Sequence, residues 1–170
     1  MVNRLETVWL SCVLVFLIGL LLLPIPPAGA QSAKFEATLS GQEQAPSIDT
    51  PAKATFVLSG NAKSLHYTLS VVDIENATMA HIHIGHAGEE GPIAVWLYPS
   101  NPSPVVRKGK FTGVLAQGTI TAANLMGPLQ GKTLEDVVSV IKVGDAYVNV
   151  HTTAHPGAKF AASSSDSHGS

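Results

Sequence analysis

The sequence predicts an all-β protein, an antiparallel β-sandwich with one short helix. Three observations carry this. Apolar and polar residues alternate in run after run, the period of a half-buried strand. The runs are short and are separated by turns rich in Gly, Pro, Asn and Ser. One segment alone, near the C-terminus, changes to helical spacing.

Taken in chain order, the first element is not part of the fold. Arg4 precedes an almost wholly apolar run over residues 8–23, which Pro24-Ile25-Pro26-Pro27 breaks. Ala28-Gly29-Ala30 then offers the small-residue step at which a signal peptidase cuts, so residues 1–30 are expected to be a signal peptide. An uncleaved anchor is the competing reading, and this segment is the only expected contact with a membrane; the run falls just short of the roughly 18–20 apolar residues of a span. The chain's one cysteine, Cys12, lies inside the run, so the mature protein has no thiol and no disulfide. It is expected outside the cytoplasm, periplasmic or secreted.

A single domain is expected over residues 33–160. Phe35, Ala37 and Leu39 alternate with Glu36, Thr38 and Ser40; Ala54, Phe56 and Leu58 repeat the pattern before the turn Ser59-Gly60-Asn61. Leu65, Tyr67, Leu69 and Val71 make a third strand, and further strands are expected over 79–84, 93–98, 110–115, 118–121 and 146–151. Leu134, Val137, Val138 and Ile141 follow helical spacing, with Thr133 placed to cap the helix and Gly144 to end it. Alternation assigns Leu65, Tyr67, Leu69, Ile82, Val148 and Val150 to the core. The Ser-rich tail, residues 161–170, has no core-forming pattern and is expected to be disordered.

Composition removes several function classes. Ten Lys and Arg against twelve Asp and Glu argue for no nucleic-acid surface. A single Cys excludes disulfide scaffolds, thiol catalysis and Cys-based zinc sites. Gly85, Gly88 and Gly91 with Pro92 superficially suggest a phosphate loop, but a strand follows instead of a helix with a Lys; a tight connection with glycines at positive φ is expected. Ser47, Ser59 and Ser64 sit in turns without a nucleophile elbow. Glu89-Glu90 and Glu135-Asp136 point apart, so paired acid–base carboxylates are unsupported. Asn76-Ala77-Thr78 is a glycosylation sequon, meaningful only in a eukaryotic secretory pathway.

Chemistry concentrates in the histidines. His81 and His83 alternate with Ala80, Ile82 and Ile84, so both point to one face of a strand, with Cα atoms roughly 7 Å apart. In Tyr147-Val148-Asn149-Val150-His151 the two valines face the core, which turns His151 to the same side as His81 and His83. Three imidazoles converging there are expected to bind copper or zinc on the outer, polar face of the sandwich. His86 in the Gly-rich loop and His155, four residues past His151, are candidates for a fourth ligand.

Phe35-Glu36-Ala37-Thr38-Leu39-Ser40-Gly41 with Gln44-Ala45-Pro46, Ala80-His81-Ile82-His83 with Gly91-Pro92, and Tyr147-Val148-Asn149-Val150-His151-Thr152 resemble the chordin-type (CHRD) domain. The motifs occur in order and span about residues 35–157. The family occurs in secreted bacterial proteins and in an animal morphogen-binding protein, so the resemblance implies a β-sandwich and a binding module without a defined biochemical activity. This chain departs from it after Gly157. There the family continues Gly-Glu-Ile-Arg-Gly-Gln into a last strand, and here Ala158-Lys159-Phe160-Ala161-Ala162 replaces the acidic and basic positions. A second resemblance is to copper/zinc superoxide dismutases, which carry H-x-H on one strand and a third copper-binding His at the end of a late strand. Their zinc loop, disulfide and substrate-guiding Arg have no counterpart here. The sandwich is accordingly expected to be immunoglobulin-like or superoxide-dismutase-like.

The expected function is a secreted, non-enzymatic binding module with a His-rich copper or zinc site and an extracellular or envelope protein as partner. The alternatives are a dismutase-like copper redox enzyme and a structural envelope or matrix protein without a ligand.

Overall fold

The alternation of the first runs becomes a hairpin-built sheet. In the computed structural model, which describes residues 32–43, 47–86, 89–100, 103–157 and 165–166, β1 (Ala33–Ser40) pairs antiparallel with β2 (Lys53–Asn61). Phe35 lies opposite Leu58, Ala37 opposite Phe56 and Leu39 opposite Ala54, and all six side chains are buried. The expected signal segment lies outside the described residues. So does the tail apart from Ser165–Asp166, a two-residue strand β7 that pairs with β1 at Phe35 and Glu36.

The third and fourth expected strands are one. β3 runs without interruption over Ser64–Ile84, and its first half is flanked by β2 and β5 (Arg107–Ile120). Its second half is flanked by β4 (Ile93–Tyr98) and β6 (Ala146–Thr152). β5 likewise joins two expected strands into one. The change of partners on β3 falls where the apolar alternation fails: Asp73 and Asn76 take φ of 55° and 50°, and the register with β5 shifts there. Asx side chains tolerate this left-handed conformation because they find local hydrogen bonds. Asn76 Oδ1 accepts the Gly109 N–H at 2.8 Å, and its carbonyl accepts the Thr153 N–H at 3.0 Å. The Asn of the sequon is thus a bulge residue whose amide is engaged in the fold.

These bulges let one continuous antiparallel sheet supply both layers of the sandwich-like fold. A narrow apolar cavity between the layers is lined by Phe35, Phe56 and Leu58 on one side and by Ile82, Ile141 and Val148 on the other. Leu65, Leu69, Ile82, Val148 and Val150 are buried as expected. Tyr67 is only half-buried, packed against the edge of the core with its hydroxyl donating to the Leu97 carbonyl at 2.8 Å.

The one α-helix among the described residues, α1 (Leu134–Lys142), packs Leu134, Val137 and Ile141 into the same core. Thr133 Oγ1 accepts the Asp136 N–H at 3.2 Å while the Asp136 carboxylate accepts the Thr133 N–H at 2.9 Å, a reciprocal capping box. At the other end Gly144 takes φ 80°, its N–H donates to Ile141 O, and the Asp145 N–H donates to Val140 O, the two bonds of a Schellman stop. Thr133→Ala removes the cap and is expected to lower unfolding free energy by about 1 kcal/mol in denaturant titration. No helix among the described residues is long and apolar enough to cross a membrane.

Candidate metal centre

The second half of β3 positions the site. From Met79 to Ile84 its ladder with β6 runs without a shift, so Ala80 and Ile82 enter the apolar core beside Val150 and Val148. The opposite face carries His81 and His83 on β3 and Tyr147, Asn149 and His151 on β6, with His81 directly opposite Asn149 and His83 directly opposite Tyr147. On its other side His81 is paired with Trp96 of β4.

This face is not the exposed polar surface expected of it. His81, His83 and His151 are 2, 6 and 7% exposed, and every residue of β6 is buried on both sides of the sheet. The cover comes from side chains on the adjoining strands and from two connections drawn over them. Trp96 closes one flank, its ring centroid 4.2 Å from that of His81 at an interplanar angle of 70°. Tyr147 lies flat on His83, with centroids 5.1 Å apart and planes 10° from parallel. The segment around Gly91 is drawn over this pair, for Tyr147 Oη donates to Glu89 O at 2.7 Å and accepts the Gly91 N–H at 2.9 Å. Residues 153–156 fold back beside His151.

The hydrogen bonds assign the tautomers. His83 Nδ1 lies 2.7 Å from Gly91 O, and His151 Nδ1 lies 2.8 Å from Pro156 O. A carbonyl oxygen only accepts, so both Nδ1 atoms carry the proton and Nε2 is the lone-pair nitrogen of each ring. His81 Nδ1 sits 3.3 Å from His151 Nε2, so with no ion bound the proton of His81 is on Nδ1 and is donated to His151. One ligand nitrogen from each of the three imidazoles fits within 4.8 Å of the other two.

Burial and the neighbouring imidazoles keep His81 neutral. Burial lowers the His81 pKa to about 3, and the proximity of His151 and His83 adds to the effect, since each penalises a positive charge on its neighbour. His81 is therefore a neutral, available ligand throughout the physiological range. Several buried polar atoms around it have no hydrogen-bond partner: His81 Nε2, Trp96 Nε1, and both Oδ1 and Nδ2 of Asn149. Such unpartnered buried atoms each cost about 1–3 kcal/mol and call for a physical explanation.

The two candidate fourth ligands are not brought to the cluster. His86 is held outward at the start of the Gly-rich connection, its side chain 67% exposed and its Nδ1 3.4 Å from Asp145 Oδ1. His155 is exposed on the turn after β6, where its backbone N–H binds Thr152. The signal for Trp96 and Asn149 was present in the sequence as strand parity. Neither is a titratable ligand type, and only the pairing of β4 and β6 on either side of His81 shows that they share its face.

Gly91 serves the site through close approach rather than positive φ: a Cβ there would run into the Ile84 carbonyl oxygen. Gly91→Ala is expected to displace the segment whose carbonyl orients His83. It should weaken metal binding by calorimetry about tenfold without changing any ligand.

The family model of the CHRD domain matches residues 35–159. No curated protein and no solved structure gives a match.

Proposed function

We propose that this chain, which belongs to the CHRD-domain family, is an extracytoplasmic binding module that holds one copper(II) or zinc(II) ion on His81, His83 and His151. The observation that carries the reading is the triad itself: three buried imidazoles, two of them oriented by Nδ1–H bonds to backbone carbonyls, with their nitrogens within 4.8 Å. Metal-binding histidines are oriented in this way, the carbonyl setting both the tautomer and the ring plane.

The spacing supports the same reading. Two nitrogens bound at 2.0–2.1 Å to a tetrahedral ion stand about 3.3–3.4 Å apart. His81 Nδ1 and His151 Nε2 are 3.3 Å apart before any ion arrives. Ligation by His81 Nδ1 moves its proton to Nε2 and breaks only the bond to His151. An all-imidazole set without a thiol suits zinc(II) and copper(II), with copper(II) favoured in intrinsic affinity. Isothermal titration of the metal-free protein with each salt tests this, and the expected result is one ion per chain. Wild-type protein that takes up neither ion overturns the reading.

The extracytoplasmic location rests on the apolar run over 8–23 and on Ala28-Gly29-Ala30. The mature N-terminus is expected at or near Gln31. Intact-mass analysis of exported protein checks it, and retention of residues 1–30 would return the segment to the role of an anchor.

A further inference from the structure

The geometry points to Asn149 as the fourth ligand: we propose that its Oδ1 completes an N3O set with His81, His83 and His151, an inference that rests on the metal reading above. Asn149 is central to the cluster. On β6 its same-face neighbours are His151 and Tyr147; across the ladder it faces His81 directly, while His83 faces Tyr147 one pair further along. Directly opposed residues of an antiparallel pair place their Cβ atoms roughly 4.5–5.5 Å apart, so a short side chain at this position lies among the three imidazoles.

Burial and bonding supply the independent observation. Asn149 is 0% exposed, and neither Oδ1 nor Nδ2 has a hydrogen-bond partner. A fully buried carboxamide with no partner is rare, because it has lost water and gained nothing in exchange. An amide oxygen kept without a partner is chemically suited to a cation. It is a neutral, hard donor that joins three imidazoles without adding a charge, and it suits zinc(II) and copper(II) better than a soft monovalent ion. The Nδ2 protons of the same amide and Trp96 Nε1–H are donors and compete with nothing for the ion.

The test sets stability against affinity. Asn149→Leu keeps the volume and removes the orphaned polar atoms. Without metal it is expected to melt above wild type, while zinc(II) affinity by calorimetry falls about tenfold or more. Asn149→Asp keeps an oxygen in place; its zinc(II) affinity is expected to match or exceed that of wild type, whereas its metal-free form melts lower because a carboxylate is buried alone. X-ray absorption of the zinc(II) form should show a four-member N/O shell in wild type. Asn149→Leu that binds zinc(II) like wild type, or that melts lower than wild type without metal, overturns the assignment. These results leave the histidine site standing, whereas wild-type protein that binds no zinc(II) overturns the metal reading itself.

Discussion

Zinc(II) or copper(II) added to the metal-free protein is expected to raise its melting temperature by on the order of 10 °C when the free ion stands about 100-fold above its dissociation constant. The size follows from linkage. An ion that binds the folded chain alone stabilises it by about 2.7 kcal/mol at that excess. The unfolded chain cannot compete, because His81 and His151 lie on strands β3 and β6 and meet only when these pair. His83→Ala and His151→Ala are each expected to lose most of the gain, since two imidazoles hold the ion far less tightly than three. His168→Ala should behave as wild type, and a chelator should return the loaded protein to its metal-free melting point. Scanning calorimetry with and without the salt measures all of these. Metal binding that survived the double change His81→Ala with His83→Ala would place the ion elsewhere.

Metal-free protein is expected to lose stability as pH falls below about 6.5, with His81 contributing part of that loss. Its folded pKa is lowered to about 3 from the ordinary value of 6.5. Between those values the unfolded chain binds the proton and the folded chain refuses it. Stability therefore rises with pH across this window, is complete above about 6.5, and declines toward pH 3, with a slope of up to about 1.4 kcal/mol per pH unit from this residue. Urea denaturation at a series of pH values, in the presence of chelator, reads the slope. His81→Phe keeps a ring beside Trp96 and should flatten it. An unchanged slope in that variant would show that His81 takes no part.

The largest single surprise of the fold was legible only in part. The strands over 65–71 and 79–84 are visible as alternation, and so are their inward residues, because each records a local choice between core and solvent. That they are one strand, β3, depends on Asp73 and Asn76 adopting left-handed backbone. In sequence these residues read as a break. In the fold they are bulges held by Thr112 and Gly109, residues more than thirty positions away.

From the sequence alone come the helix with both its caps, the alternating core, and the shared parity of His81, His83 and His151. All of these follow from contacts within a few residues or from the two-residue period of a strand. Tertiary structure alone decided that the histidine face is enclosed. A strand's polar face is solvated only if nothing folds over it, and here Trp96, Tyr147, the segment around Gly91 and the turn after β6 do so. The same packing excluded His86 and His155, held outward on exposed connections, and enclosed Asn149. Which side chains surround a ligand is set by how β4 and β6 pair with the two sides of β3, and pairing partners distant in the chain leave no periodic trace in it.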